Sequence, residues 1–309
     1  MTALVIGVDG GGSKTTALVA DEQGTPIAEA TGAPSAVRAG YVDDSADAIC
    51  AVVRDALAQA NAGDETPRVV CVGVAGVGRE ALRLQLWEAL TSRALAEEVV
   101  VHTDFAVAFD DAFGQGAGIL VLAGTGSVAI GRAPTGATAR CGGWGPEFGD
   151  EGGGAWIGRH ALSVVAAASD GREPETALTG AILTATESKE VADLVSWAAD
   201  ATPATLATLA PVVFQVADAG DLRANSLLDL ATEELALHAR ALARQLFSDE
   251  RAAISIALSG GLLGRGAAMR KRLEHRLKSA VPGAQVGHEE VVAARGAVRS
   301  ALHFLGDAV

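Results

Sequence analysis

Cysteine is scarce and scattered: Cys50, Cys71 and Cys141 are the only three in 309 residues, and no two form a C-x-x-C pair. That spacing argues against a structural zinc, a redox couple or a disulfide framework. Basic side chains are also in deficit, 24 Lys and Arg against 38 Asp and Glu, for a net charge of −14. So acidic a chain repels polyanions, which excludes nucleic acid and anionic membranes as expected partners, while a nucleotide carried with a divalent cation stays acceptable. No apolar run reaches the length of a bilayer span. The first strand pattern starts within four residues of Met1, which leaves no room for a targeting segment. A soluble, cytoplasmic protein is expected. Two common phosphate-binding signatures are missing as well, because neither a Gly-x-Gly-x-x-Gly nor a Walker-type Gly-x-x-x-x-Gly-Lys-Ser/Thr introduces a helix.

What the chain does have is apolar content, 49% of residues against 20% charged, and a length that predicts two domains, each able to bury its own core. Two stretches about 110 residues apart carry one pattern: an apolar strand, a glycine-rich turn closed by hydroxyl residues, and a second apolar strand. The first runs Leu4 to Val19 through Asp9-Gly10-Gly11-Gly12-Ser13-Lys14-Thr15, and the second Ile119 to Gly131 through Gly124-Thr125-Gly126-Ser127. Such turns let consecutive N–H groups converge on an anion. One alone is explained by turn geometry. Two can hold a polyphosphate from both sides of a cleft. Gly11, Gly12, Ser13, Lys14 and Thr15 are therefore candidate phosphate contacts, as are Thr125, Gly126 and Ser127, with Lys14 alternatively a solvent-facing strand residue. Asp9 is placed to orient a hydrated Mg²⁺, an ion that keeps several waters and needs few carboxylates.

Periodicity predicts helices over 45–60 (with Asp43, Asp44 and Ser45 as cap candidates) and 79–90, strands over 68–76 and 98–103, and a helix from Phe105 to Phe113. Trp87 reads as core. After the second hairpin come helices about 155–169, 173–184 and 188–199, further helices through Arg251, a strand over 253–258, and helices over 267–279 and 293–305. In the stretch 227–247, Leu228, Ala231, Leu235, Leu242 and Leu246 recur at helical spacing, as core or as a dimer surface. The stretch Cys141-Gly142-Gly143-Trp144-Gly145-Pro146-Glu147-Phe148-Gly149-Asp150-Glu151-Gly152-Gly153 can lie close to a ligand, with Trp144 as a stacking face for a sugar ring and Asp150 and Glu151 as hydroxyl acceptors.

The two cradles, the strand ending at Asp104, the Leu258-Ser259-Gly260-Gly261 turn and the small-residue last helix resemble the acetate and sugar kinase, chaperone ATPase and actin superfamily. Within it, the Cys-Gly-Gly-Trp-Gly…Gly-Asp-Glu-Gly stretch resembles the N-acetylglucosamine kinases and BadF/BadG/BcrA/BcrD-type ATPases. The resemblance implies an α/β fold of two ribonuclease-H-like domains, each of βββαβα layout, with a cleft between them. The expected division is 1–115 with a C-terminal helix in 293–309, and 116–292. It implies an ATP- and Mg²⁺-dependent kinase acting on a hydroxyl of an amino sugar, as a homodimer. Asp104 matches the family's general base and stands at the carboxyl edge of a strand, although it could equally cap the next helix. Gly143, Trp144, Gly145, Asp150 and Asp104 match sugar contacts, and Gly260 and Gly261 match the adenosine turn. The alternative within the resemblance is an ATPase that activates a partner enzyme through an iron–sulfur cluster.

The chain departs from the pattern twice. Where sugar-binding members carry Thr-Asn, it reads Pro34-Ser35-Ala36, and where they carry Leu-Ser-Gly-Gly it reads Val74-Ala75-Gly76-Val77. Lost hydrogen-bonding groups change specificity, so an amino sugar is expected rather than N-acetylglucosamine in particular. The cysteine zinc cluster of ROK-type sugar kinases is absent from the sequence, and His102 reads as structural.

Overall fold

The computed structural model describes residues 4–247 and 253–307. By internal contacts the chain divides into two compact units, Met1–Gly116 with Val291–Val309, and Ala117–Glu290.

The first unit is built on β1 (Val5–Gly10), β2 (Thr15–Ala20), β3 (Pro26–Gly32), α1 (Val42–Gln59), β4 (Val69–Val74), α2 (Glu80–Ser92), β5 (Glu98–Thr103) and α3 (Asp104–Phe113). Its sheet runs β3-β2-β1-β4-β5, with β1, β4 and β5 parallel and β2 and β3 antiparallel. Alternation along β1 splits the core. Ile6 and Val8 join Ile49, Val53 and Leu86 in one cluster, while Val5 joins Val107, Ala297 and Ala301 in another.

The second unit repeats the plan with β6 (Gly118–Ala123), β7 (Ser127–Arg132), β8 (Thr138–Gly142), α4 (Gly154–Ser169), α5 (Leu178–Ala185), α6 (Asp193–Asp200), α7 (Pro203–Ala207), α8 (Leu209–Asp218), α9 (Leu222–Leu246), β9 (Ile254–Ser259), α10 (Ala268–Ala280) and β10 (Ala284–Val286). The sheet order β10-β9-β6-β7-β8 is the first sheet's order in reverse listing, so both units share the duplicated βββαβα layout. The last helix, α11 (Ala293–Asp307), returns to the first unit. There Arg295 donates through Nε and Nη2 to the two carboxylate oxygens of Asp111 at 2.6 and 2.7 Å, and the Val292 N–H adds a third bond at 2.8 Å. Asp111 is thus a structural clasp between α3 and α11. Among the described residues no helix is long and apolar enough to cross a membrane.

Several local expectations change. Helix α1 starts at Val42, before the expected caps. Asp43 and Asp44 lie in its first turn and no side chain caps it, while Arg93 reaches Asp43 and Asp47. Trp87 is 43% exposed, because α2 overlies the edge strand β5 and the indole N–H donates to the Val99 carbonyl at 3.0 Å. The helix expected over 173–184 begins only at Leu178. Pro174 disfavours helix at the residue before it, and Asp221 draws in the Thr176 hydroxyl and the Ala177 N–H at 3.0 and 2.8 Å. The helix expected over 188–199 begins at Asp193, whose carboxylate takes the N–H groups of Lys189 and Glu190. On α9, Leu228, Ala231, Leu235 and Leu242 are core. The expected helical end at Arg251 lies outside the described residues, as do residues 308 and 309 of the last segment.

Candidate functional site

Parallel pairing brings the candidate acids of the first unit to one sheet edge. Gly10 pairs with Val74 and Val74 with Thr103, so the ends of β1 and β5 lie two strand spacings apart, about 10 Å. Asp9 is the penultimate residue of β1, and Asp104 follows β5 directly as the first residue of α3, where Thr103 rather than Asp104 is the N-cap. Both are half-buried. Burial raises the carboxyl pKa of Asp9, with the Lys14 ammonium partly offsetting it. A carboxylate desolvated in this way gains from a cation beside it, and as a hard oxygen donor it suits Mg²⁺.

The first hairpin presents an exposed tip of Gly12, Ser13 and Lys14 above a committed base. The Gly11 N–H donates to the Lys14 carbonyl, and the Gly11 carbonyl accepts from Ser35 and Ala36. Thr15 is fully buried, and its hydroxyl donates to the Ala33 carbonyl at 2.6 Å and accepts from the Ser35 hydroxyl at 2.8 Å. That hydroxyl holds the hairpin base instead of offering itself to phosphate. The two departures from the sugar-kinase pattern meet here as well, since Val37 N–H bonds the Ala75 carbonyl and Ala75 N–H the Gly10 carbonyl.

The second hairpin is held differently. Its carbonyls at Gly124 and Thr125 accept the first amides of α4, from Gly154 at 2.8 Å and Ala155 at 2.9 Å. The Ser127 hydroxyl donates to the Glu151 carbonyl at 2.6 Å, so of this residue only the backbone remains for other contacts. The Asp150 carboxylate takes the Gly145 N–H at 3.2 Å. Gly126 touches the same carboxylate so closely that a Cβ would collide with it. Asp150 adopts φ +57°, a left-handed conformation that costs a non-glycine residue energy and marks a position fixed by its surroundings. Burial raises its carboxyl pKa, opposed by the Gly145 N–H.

Trp144 is 62% exposed, with the Arg140 guanidinium over its ring at 4.9 Å. Gly143 and Gly145, on either side of it, turn the chain through positive φ. Gly260 and Gly261 follow β9, beside the second hairpin: β9 pairs parallel to β6, and Leu262 N–H bonds the Ala123 carbonyl. No local pattern in the residues points to what faces that turn. A groove of about 490 Å³ runs from Gly261 and Leu262 to Pro211, Phe214, Gln215 and Asp218 on α8.

A model of the BadF/BadG/BcrA/BcrD ATPase family matches residues 6–301. The chain belongs to this family. N-acetyl-D-glucosamine kinase of Dictyostelium discoideum is 29% identical over 316 residues, covering 97% of this chain and 98% of that protein. An N-acetylmuramic acid/N-acetylglucosamine kinase of Clostridium acetobutylicum is 29% identical over 261 residues, 84% of this chain and 85% of that one. A Chromobacterium violaceum crystal structure, described as a candidate N-acetylglucosamine kinase, superposes with a TM-score of 0.78 at 30% identity, covering 96% and 98%. Here Cys50 and Cys71 are buried, the Cys71 thiol pushed up to about 12 chiefly by burial, and Cys141 is half-buried with its pKa raised for the same reason. Burial lowers the pKa of His102, and among the described residues no three His, Cys, Asp or Glu side chains stand as a metal-binding group.

Proposed function

We propose that this chain is an ATP-dependent kinase that phosphorylates a hydroxyl of an amino sugar of the glucosamine or N-acetylglucosamine type. The observation that carries the reading is the joining of the Trp144–Asp150 loop to the second hairpin: the Asp150 carboxylate lies against Gly126 and takes the Gly145 N–H, and the Glu151 carbonyl accepts from the Ser127 hydroxyl. A surface suited to a sugar and a turn suited to phosphate are one piece of structure. The names of the relatives support the same acceptor class. The reading gives the half formed by 1–115 and 293–309 to Asp9 and the base, and 116–292 to the sugar loop and the adenosine turn.

Phosphoryl transfer asks for positioned phosphates, charge stabilisation and a proton acceptor. In this reading Asp104 accepts the proton of the attacking hydroxyl, and Trp144 stacks on the sugar while Asp150 accepts from its hydroxyls. The tip residues Gly12, Ser13 and Lys14, and the turn at Thr125 and Gly126, contact the phosphates. Asp9 holds magnesium through water, and what that ion supplies when bound is neutralisation of phosphate charge. Adenosine lies along Gly260 and Gly261, with Phe214 offering its base a flat apolar face. Ala36 and Ala75 give the first unit no amide or hydroxyl for the sugar, which favours acceptors bound mainly by the Trp144 loop. A homodimer in the cytoplasm belongs to the same reading, and light scattering of the purified chain tests the dimer.

The deciding experiment follows ADP release with ATP and a panel of amino sugars and hexoses. Glucosamine or N-acetylglucosamine should be phosphorylated with the highest kcat/KM, and failure of both ends the proposal. Asp104→Asn should lower kcat by about 10²–10⁴-fold with nucleotide affinity nearly unchanged, the range typical of a lost general base.

A further inference from the structure

Beneath the Trp144 loop lies a buried pair that the chemistry above leaves unused. His238, on α9, is 8% exposed, and its Nε2 stands 3.6 Å from Oε2 of Glu151, beyond hydrogen-bonding range. His238 Nδ1 and Glu151 Oε2 are both buried, and neither has a hydrogen-bond partner among the described residues. An orphaned buried polar atom costs about 1–3 kcal/mol, more if charged, and native structures seldom retain one without a reason. Here two occur on neighbouring side chains.

The surrounding chain is shaped around this ring. Gly142 has φ +72°, and a Cβ there would come within 2.7 Å of His238 Cε1, so only glycine lets the imidazole lie under the loop. One turn earlier on the same helix, Leu235 and the Ala231 carbonyl carry the backbone of Gly152. Glu151 is the junction. Its carbonyl is held by the Ser127 hydroxyl of the second hairpin, and its side chain faces α9.

We propose that His238 is a positioning residue for the substrate loop: its Nε2–H donates to the Glu151 carboxylate when the loop settles on the acceptor, and this contact sets sugar affinity rather than the rate of phosphoryl transfer. The inference rests on the amino-sugar kinase reading. A movement of about 0.6 Å brings the two atoms to ordinary hydrogen-bond distance. Burial lowers the His238 pKa, with the carboxylates of Glu151, Glu234 and Asp150 opposing it, so near neutral pH the ring carries a single N–H. Placing that proton on Nε2 satisfies Glu151 and leaves Nδ1 a bare acceptor, so the contact relieves the charged one of the two orphaned atoms. The Cys141 thiol, raised by burial and by Glu151, stays protonated and brings no competing charge.

The test is steady-state kinetics of the full chain with N-acetylglucosamine and glucosamine, each variant checked for folding by thermal melting. His238→Phe should raise sugar KM about tenfold or more, with kcat and the KM for ATP changed less than about threefold. His238→Gln, whose amide N–H reaches the Nε2 position, should stay within about threefold of wild type in sugar KM. Adding Glu151→Gln to His238→Phe should bring little further loss, as expected for two partners in one contact. An unchanged sugar KM in His238→Phe, equal losses in the Phe and Gln variants, or a fall confined to kcat overturns the proposal. Should His238→Phe fail to fold, His238→Leu takes its place in the same cycle with Glu151→Gln, since leucine also removes the N–H. A readout independent of any sugar is the ¹⁵N NMR spectrum of His238. It should show a protonated Nε2 and a bare Nδ1, and Glu151→Gln should lower the His238 pKa further. A proton on Nδ1, or an unmoved pKa, overturns the pair. If the wild-type chain phosphorylates no amino sugar, the kinase reading fails on its own, and the imidazole signals still judge the contact.

Discussion

The two hairpins come from the same strand plan and are held by opposite means. In the first unit, a buried hydroxyl and loop amides pin the base, through Thr15, Ser35 and Ala36, and the tip of Gly12, Ser13 and Lys14 is left in solvent. In the second, the tip itself is gripped, by the first amides of α4 on its carbonyls and by the Asp150 carboxylate against Gly126. A free tip can adjust to a phosphate that arrives with its metal and waters. A gripped tip transmits whatever happens in the Trp144 loop. Duplication therefore gave one adaptable turn and one that is mechanically continuous with the candidate acceptor site.

The sharpest way to break this contrast is to put the same methyl group on both tips. A Cβ at Gly126 would run into the Asp150 carboxylate, whereas a Cβ at Gly12 would meet nothing within 4 Å. Gly126→Ala should raise the KM for sugar and for ATP together, each by about tenfold or more, because Asp150 and the turn must move apart. Gly12→Ala should leave the melting temperature unchanged and the sugar KM within about twofold. Equal effects at the two sites would show that the tips are not held differently.

The next comparison concerns what ties each unit together. The second unit rests on one apolar cluster wrapped around α9, while the first needs a polar clasp to bring α11 back from the far end of the chain. The Asp111 side chain is 1% exposed and engaged by Arg295, Arg299 and the Val292 N–H. Asp111→Ala should cost the first unit about 2–4 kcal/mol, since buried charge-assisted bonds are lost and donors are left without their acceptor. Urea unfolding followed by tryptophan fluorescence measures it. A loss under about 0.5 kcal/mol, the scale of an ordinary surface change, would mean that α11 is held by its apolar face alone.

Much of this was readable in the residues, and the misses share a cause. Strands β1, β4 and β6 are short, apolar and buried almost throughout, and their pattern has no competing reading. The loop from Gly142 to Gly154 announced itself by composition. What stayed hidden were partners distant in sequence: Asp221 drawing in Thr176 and Ala177, β5 underlying Trp87, and Asp150 turning inward to Gly126 and Gly145. Glu151 was legible as an acidic loop residue, but nothing local tells that α9 lifts His238 beneath it. Hydroxyls show one consistent pattern. Ser127 and Thr15 close glycine-rich turns, and in both the same position puts the hydroxyl on a backbone carbonyl distant in sequence.

That last point yields the smallest and cleanest test of the contrast between the hairpins. Thr15 shares hydrogen bonds with Ala33 and Ser35 in a fully buried place, and valine keeps its shape while removing the hydroxyl. Thr15→Val should cost about 1–2 kcal/mol of stability, the usual penalty for leaving buried partners unsatisfied. Its kcat and ATP KM should remain near wild type, because the hydroxyl serves the base of the turn and not the ligand. The paired change Ser13→Ala, at the exposed tip, should do the reverse, sparing stability and weakening ATP by about threefold. Were Thr15→Val to weaken ATP more than Ser13→Ala does, the phosphate would have to be held from beneath the turn, and the adaptable tip would lose its role.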